Sequence, residues 1–263
     1  MSSHWNCVNA NPTPACPATQ KEPPMKLCPL AVGATLAAAL LAPLAAHAQT
    51  THTYTGNGAT GFSGYLGQGH LTITRDTQNN LTFSLAPHGG NLGGAGVANG
   101  VALYIDSEPG GFADTSALSD NGDPGHEIIS GANTGANSKI NGKNPPSRSL
   151  VTFAPGFKAD YALSIEGSYV GLFKLAVGKD NSLVYISGAG QTNAPYTITI
   201  PGSKIGVKPG QSFKFVGTLI SAANAYRSNE TLGSTAQGTA GPVPGFNGRV
   251  MFTGFDTFPT VAR

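Results

Sequence analysis

The sequence predicts an all-β fold: an antiparallel β-sandwich of jelly-roll type, preceded by a signal-peptide helix. Three observations carry that expectation. Short apolar runs alternate with polar residues at period two, the pattern of strands with one buried face. Glycines fall between these runs, 35 of the 36 beyond residue 48, with no collagen-like period. Helical spacing sustained over 11 or more residues is absent beyond residue 48.

The elements follow in chain order. Residues 1–24 are rich in Pro, Asn and Thr without hydrophobic periodicity; they are expected to be disordered, or not translated at all if Met25 is the start. Met25 and Lys26 open a stretch that then carries no charge from Leu27 to Ala46 and closes with Ala46-His47-Ala48. A charged start, an apolar middle and a small-x-small exit make a signal peptide over residues 25–48, cleaved after Ala48, for a secreted or periplasmic protein. About 20 apolar residues would also suffice for a retained span, but Pro29, Pro43 and the cleavage pattern favour removal. Cys28 stands too early to be a lipoprotein attachment site.

Cleavage changes the composition. Cys7, Cys16, Cys28 and Trp5 all leave, so residues 49–263 must be held by their core, or by bound metal, without disulfides. That length suffices for one domain with a sizeable core. Loss of Lys21, Lys26 and Glu22 leaves 13 Lys and Arg against 12 Asp and Glu. Such a balance offers nucleic acid no basic stripe, and after cleavage nothing predicts a membrane partner.

Within residues 49–263, Leu71 and Ile73 oppose Thr72 and Thr74; Leu81, Phe83 and Leu85 oppose Thr82 and Ser84. The strands so predicted, 69–75 and 80–86, are joined by Asp76-Thr77-Gln78-Asn79, a good hairpin connection. Val101, Leu103 and Ile105 oppose Tyr104 and Asp106, which places Tyr104 on the outer face. Further strands are expected near 99–106, 148–153, 160–166, 169–177, 182–187, 195–200, 212–220 and 248–256, with long loops at 86–98, 107–147 and 232–247. Loops of that length are functional or disordered as a rule.

Few residue constellations suggest chemistry. No serine has the Gly-x-Ser-x-Gly context of an α/β hydrolase. His70, His88 and His126 sit at strand edges or in Gly-rich loops and read as solvated surface groups, and no Cys pair or His-x-x-x-His offers zinc a site. Only four glutamates remain, Glu108, Glu127, Glu166 and Glu230, and nothing in their spacing pairs two of them for glycoside hydrolysis. Glu166 is expected to point outward from its strand. The chain is therefore read as non-catalytic.

Two clusters stand out. Asp106, Asp114, Asp120 and Asp123 lie close together with Asn121, Gly122 and Gly125. Hard oxygens on a flexible loop are what calcium takes, so these four are the candidate metal ligands; the alternative is that short polar side chains build turns by bonding their own backbone. Tyr226, Arg227 and Glu230 combine an aromatic, a guanidinium and a carboxylate, the chemistry of a sugar or carboxylate contact. Alternatively, Arg227 and Glu230 pair with each other at a loop surface.

Three passages, in order, carry a resemblance: Val101-Ala102-Leu103-Tyr104-Ile105-Asp106-Ser107, Gly156-Phe157-Lys158-Ala159-Asp160-Tyr161-Ala162-Leu163, and Ile200-Pro201-Gly202-Ser203-Lys204-Ile205-Gly206-Val207-Lys208-Pro209-Gly210-Gln211-Ser212-Phe213. Together they resemble the DOMON-like and family 9 carbohydrate-binding-module-like β-sandwiches. The resemblance implies an extracellular module that binds sugars or, in other branches, haem or another small ligand, with Asp160-Tyr161 as a structural signature. The chain departs from the sugar binders in lacking tryptophan beyond residue 48, and from haem binders in keeping only Met251 among its methionines. The expected function is a secreted, non-catalytic binding module for a polysaccharide or cell-surface glycan, contacted by exposed Tyr104 and Tyr226 with Arg227 and Glu230. The alternative is a structural or adhesive protein of an extracellular surface or matrix.

Overall fold

The computed structural model describes residues 49–94, 97–133, 147–176, 183–221, 225–232 and 248–260. The predicted leader 1–24, the signal peptide 25–48, the cysteines and Trp5 lie outside them, as does most of the predicted loop 232–247. The described residues all fall within one unit, Leu44–Arg263.

Strands dominate. In chain order they are β1 (Thr50–Thr55), β2 (His70–Arg75), β3 (Asn80–Ala86), β4 (Gly93–Gly94), β5 (Val97–Asp106), β6 (Ala132–Asn133), β7 (Ser147–Arg148), β8 (Leu150–Thr152), β9 (Tyr161–Ile165), β10 (Tyr169–Leu175), β11 (Leu183–Gly190), β12 (Tyr196–Pro201), β13 (Phe213–Ser221), β14 (Tyr226–Leu232), β15 (Arg249–Met251) and β16 (Asp256–Phe258). Among the described residues one helix, α1 (Pro124–Ser130), and a 3-10 turn, Gly202–Ile205, accompany them.

The strands form an all-β sandwich. A four-stranded antiparallel sheet runs β1-β2-β3-β12, and a larger one runs β11-β10-β9-β5-β13-β14, with β16 also on β13 and β4 on β5. The hairpin between β2 and β3 forms because Asp76 accepts from the amides of Gln78 (2.9 Å) and Asn80 (2.7 Å). The period-two pattern then sorts each strand. Leu71, Ile73, Leu81, Phe83 and Leu85 pack inward against Leu103, Ile105, Leu163, Phe213 and Phe215 of the larger sheet. On the outer side of the small sheet, hydroxyls pair across strands: Thr51 with Thr74, Thr53 with Thr72, and Thr82 with Thr199.

The larger sheet departs from the predicted pattern, because its middle strands are buried on both faces. Every residue of β9 is buried. The second face, with Ala102, Tyr104, Ala162, Val216 and Ile220, is covered by Ile128 and Ile129 of α1 and by Val151, Phe153, Phe157 and Phe252. Part of this covering layer, Ile128 and Ile129, comes from the stretch read as a long loop. Its helix is one the spacing test missed, since seven residues are too few to show a period. Asp123 caps α1 by accepting from the His126 amide at 2.9 Å, and Pro124 opens the first turn. Gly131 ends it at a φ of 69°, where a Cβ would also come within 2.1 Å of the Ser149 carbonyl oxygen.

Candidate functional site

The residues singled out in the sequence go to several places. Tyr104 is fully buried, not exposed on an outer face, because α1 and Phe153 cover it. Its hydroxyl donates to the Ile129 carbonyl at 2.6 Å and lies in hydrogen-bond reach of Arg227, and burial pushes its pKa up. Arg227 is also fully buried: it donates to Ser149 Oγ (3.2 Å), to Thr218 Oγ1 and to the Ile128 carbonyl (3.4 Å). Glu230, equally buried, accepts from the amides of Phe62, Gly64 (3.0 Å), Leu66 (2.8 Å) and Gly67 (3.2 Å). Tyr226 is half-buried with Phe62 stacked at 5.4 Å. Tyr104, Arg227 and Glu230 thus present no surface to a ligand; they tie the covering layer and the 56–69 loop to the sheet. The surface ion pair considered for Arg227 and Glu230 does not form either, since both are interior strand residues.

The four aspartates named as candidate calcium ligands each bond to protein donors. Asp106 takes the Lys214 ammonium at 3.1 Å and the Lys158 amide at 3.2 Å. Asp114 turns back on the Ser116 amide (2.7 Å), and Asp120 and Asp123 flank His126. Among the described residues no group of three or more His, Cys, Asp or Glu side chains is arranged to hold a metal. Asp114, Asp120 and Asp123 each accept from a backbone amide two or three residues on, while Asp106 bonds to distant donors. The Asp160-Tyr161 signature is likewise built into the frame: Asp160 accepts from the amides of Ser107 (3.0 Å) and Glu108 (2.9 Å), while Tyr161 packs in the core.

Asp120, Asp123 and His126 lead to a different site. Where the first turn of α1 meets the outer face of β10 and β11, a cleft of about 430 Å³ is lined by Asp123, His126, Glu166, Tyr169, Phe173 and Tyr185. That volume lies within the roughly 300–1,000 Å³ of small-molecule sites. Its floor is aromatic. Phe173 meets the Tyr185 ring edge-on at 5.8 Å and the His126 ring at 5.0 Å. Tyr185, 54% exposed, joins hydroxyls with Tyr169 at 2.9 Å.

Glycine makes that floor possible. Gly171 and Gly188 face each other in the β10–β11 register, and a Cβ at Gly188 would stand 1.9 Å from the Tyr169 hydroxyl. The Tyr169 ring therefore lies where only bare backbone leaves room.

The wall is acidic. The turn between β9 and β10, closed by the Glu166 amide donating to the Tyr169 carbonyl at 2.7 Å, sets Glu166 beside Tyr169. Burial first, then the nearby Asp123 carboxylate, pushes the Glu166 pKa up. The hydrogen bond to Tyr185 and then burial push Tyr169 up to about 12. His126 Nδ1 donates to Asp120 at 3.0 Å, and its Nε2 lies 3.8 Å from Asp123. Burial raises the Asp120 pKa, but the amides of Gly122 and Leu183 and the His126 ring outweigh it and hold this carboxyl below its ordinary value. An exposed aromatic face, paired phenols and two carboxylates can stack a ring and accept hydrogen bonds from its hydroxyls.

The sequence reading missed this site. His126 was expected in solvent, yet its side chain is only 18% exposed; Glu166 was expected to point outward unpaired. The one usable signal was Tyr169-Gly171-Phe173 at period two with Tyr185 in the next predicted strand, an aromatic stripe interrupted by glycine. No family model, curated protein or solved structure matches the chain.

Proposed function

We propose that this chain is a non-catalytic carbohydrate-binding module, and that its binding site is the cleft floored by Tyr169, Phe173 and Tyr185. The observation that carries the reading is Tyr185: a large aromatic that is 54% exposed and anchored through its hydroxyl to Tyr169, beside Asp123 and Glu166. A rigid exposed ring offers stacking area at little entropic cost, and the carboxylates accept from sugar hydroxyls. Export belongs to the same proposal and rests on residues 25–48, with cleavage after Ala48 to a secreted or periplasmic form. The motif resemblance to sugar-binding sandwiches points the same way, with tyrosine in place of tryptophan.

The test is retention of the purified protein on insoluble polysaccharides and on a glycan array, beside Tyr185→Ala. Wild type should be retained on at least one glycan and the variant released. Absence of retention on every glycan would end the reading.

A second reading, a structural or adhesive surface protein, draws on β11. That strand is the outermost of the larger sheet and carries Val184 (51% exposed) beside Tyr185. An exposed apolar edge strand is a ready template for pairing with another copy. Light scattering across a concentration series separates the two: a strict monomer has no such assembly.

A further inference from the structure

We infer that the sugar taken by the cleft bears a protonated amine, so that the ligand is a 2-amino-sugar polymer and not a neutral glucan. The inference rests on the carbohydrate reading above and names the ligand class of that same site.

Charge balance in the cleft carries it. Asp123 and Glu166 line one cavity, and each is a pure acceptor when ionised. The one basic side chain in the lining, His126, gives Nδ1 to Asp120 at 3.0 Å and holds Nε2 3.8 Å from Asp123, so it is shared between two carboxylates and none of it is directed at Glu166. No Lys or Arg is among the described lining residues. The hydroxyls of a neutral sugar would replace the water on these carboxylates but bring no positive charge to Glu166. An ammonium brings it, with short charge-assisted hydrogen bonds to the carboxylates. The floor fits the same cation, since the exposed face of Tyr185 attracts an ammonium within about 6 Å of the ring centre. Burial, and after it the Asp123 charge, raises the pKa of Glu166, and the same positive charge relieves the second of these.

The attraction is local. With 13 Lys and Arg against 12 Asp and Glu beyond residue 48, the molecule as a whole does not draw polycations.

Calorimetric titration of the purified full chain with a glucosamine tetramer, its fully N-acetylated counterpart and a neutral glucose tetramer tests this. The buffer is held at about pH 6 and about 0.1 M salt, where charges beyond roughly 10 Å are screened. The glucosamine tetramer should bind about tenfold tighter than the other two, and the preference should vanish in the double variant Asp123→Asn, Glu166→Gln. Both changes keep the fold within reach: Asn still caps α1 and Gln matches Glu in size. Melting temperatures of the variants monitor folding. Equal or tighter binding of the acetylated or neutral tetramer would overturn the amine inference and leave the carbohydrate reading standing. Binding of no saccharide would remove both. A preference that survives the double variant would place the ammonium contact outside this cleft and overturn the assignment.

Discussion

Arg227 and Glu230 stand three residues apart in β14 and share no partner: the guanidinium goes to Ser149, Thr218 and Ile128, the carboxylate to four amides between Phe62 and Gly67. One strand thereby fastens two separate pieces of irregular chain. Glu230 is the acceptor without which those amides would lie buried and unsatisfied, so Glu230→Ala should cost roughly 3 kcal/mol or more. In a chain of this size that lowers Tm by roughly 6–12 °C, readable by calorimetry. Because the two side chains do not interact, Glu230→Gln and Arg227→Lys should be additive within about 0.5 kcal/mol in a double-mutant cycle. A larger coupling would restore the ion pair that the sequence suggested.

Much of the frame was legible in the sequence because burial on one face writes itself as alternation. Leu71 and Ile73 against Thr72 and Thr74 are inward and outward as expected, and Asp76 makes the turn. Tyr104 shows where this logic stops. Alternation identifies two faces but not what covers the second, and the cover here is a seven-residue helix with segments from distant parts of the chain. The site was illegible for a related reason. Asp123 and His126 come from the start of α1, Glu166 from a turn, Tyr169 from the start of β10, and Tyr185 from an outermost strand. No spacing rule joins groups that only the sheet register brings together.

Glu166 makes a pH dependence. Its folded pKa is raised, so the native state holds this proton more tightly than the unfolded chain does. Its contribution therefore favours the fold below the ordinary glutamate range and is lost as pH rises through the raised value. Glu166→Gln, which cannot ionise, should melt above wild type at about pH 7, and the gap should close near pH 4 or below, where wild-type Glu166 is protonated in both states. Thermal melts across that range check it. A gap that widens toward acid would contradict the sign. The cost borne at neutral pH is what a binding group exacts from stability.

Chelation should leave the fold untouched. Asp106 holds Lys214, Asp114 holds the Ser116 amide, Asp120 holds the Gly122 and Leu183 amides with His126, and Asp123 caps α1. With these carboxylates bonded to protein donors, excess EDTA should shift Tm by less than about 1 °C, and added calcium should not raise it. A calcium-dependent rise would mean that some of these bonds give way to an ion.

The Tyr169–Tyr185 hydroxyl pair can be read directly. Tyr169 ionises only at about 12, chiefly because its hydroxyl bonds that of Tyr185. Tyr185→Phe removes that partner while keeping the ring, so Tyr169 should titrate closer to the ordinary tyrosine value of about 10. Difference absorbance at the phenolate band follows this shift, while Tyr54, which burial, aided by the Asp256 charge, raises to about 12, stays at high pH. Gly188→Ala should produce the same downward shift by another route, since its Cβ would strike the Tyr169 hydroxyl and push the ring off the glycine floor. Both variants should weaken glycan retention, Tyr185→Phe less than Gly188→Ala, because the first keeps the stacking face and loses only its anchor. If Gly188→Ala left both the titration and retention unchanged, Tyr169 would not be held against β11, and the cleft would lack the rigid floor on which the binding reading depends.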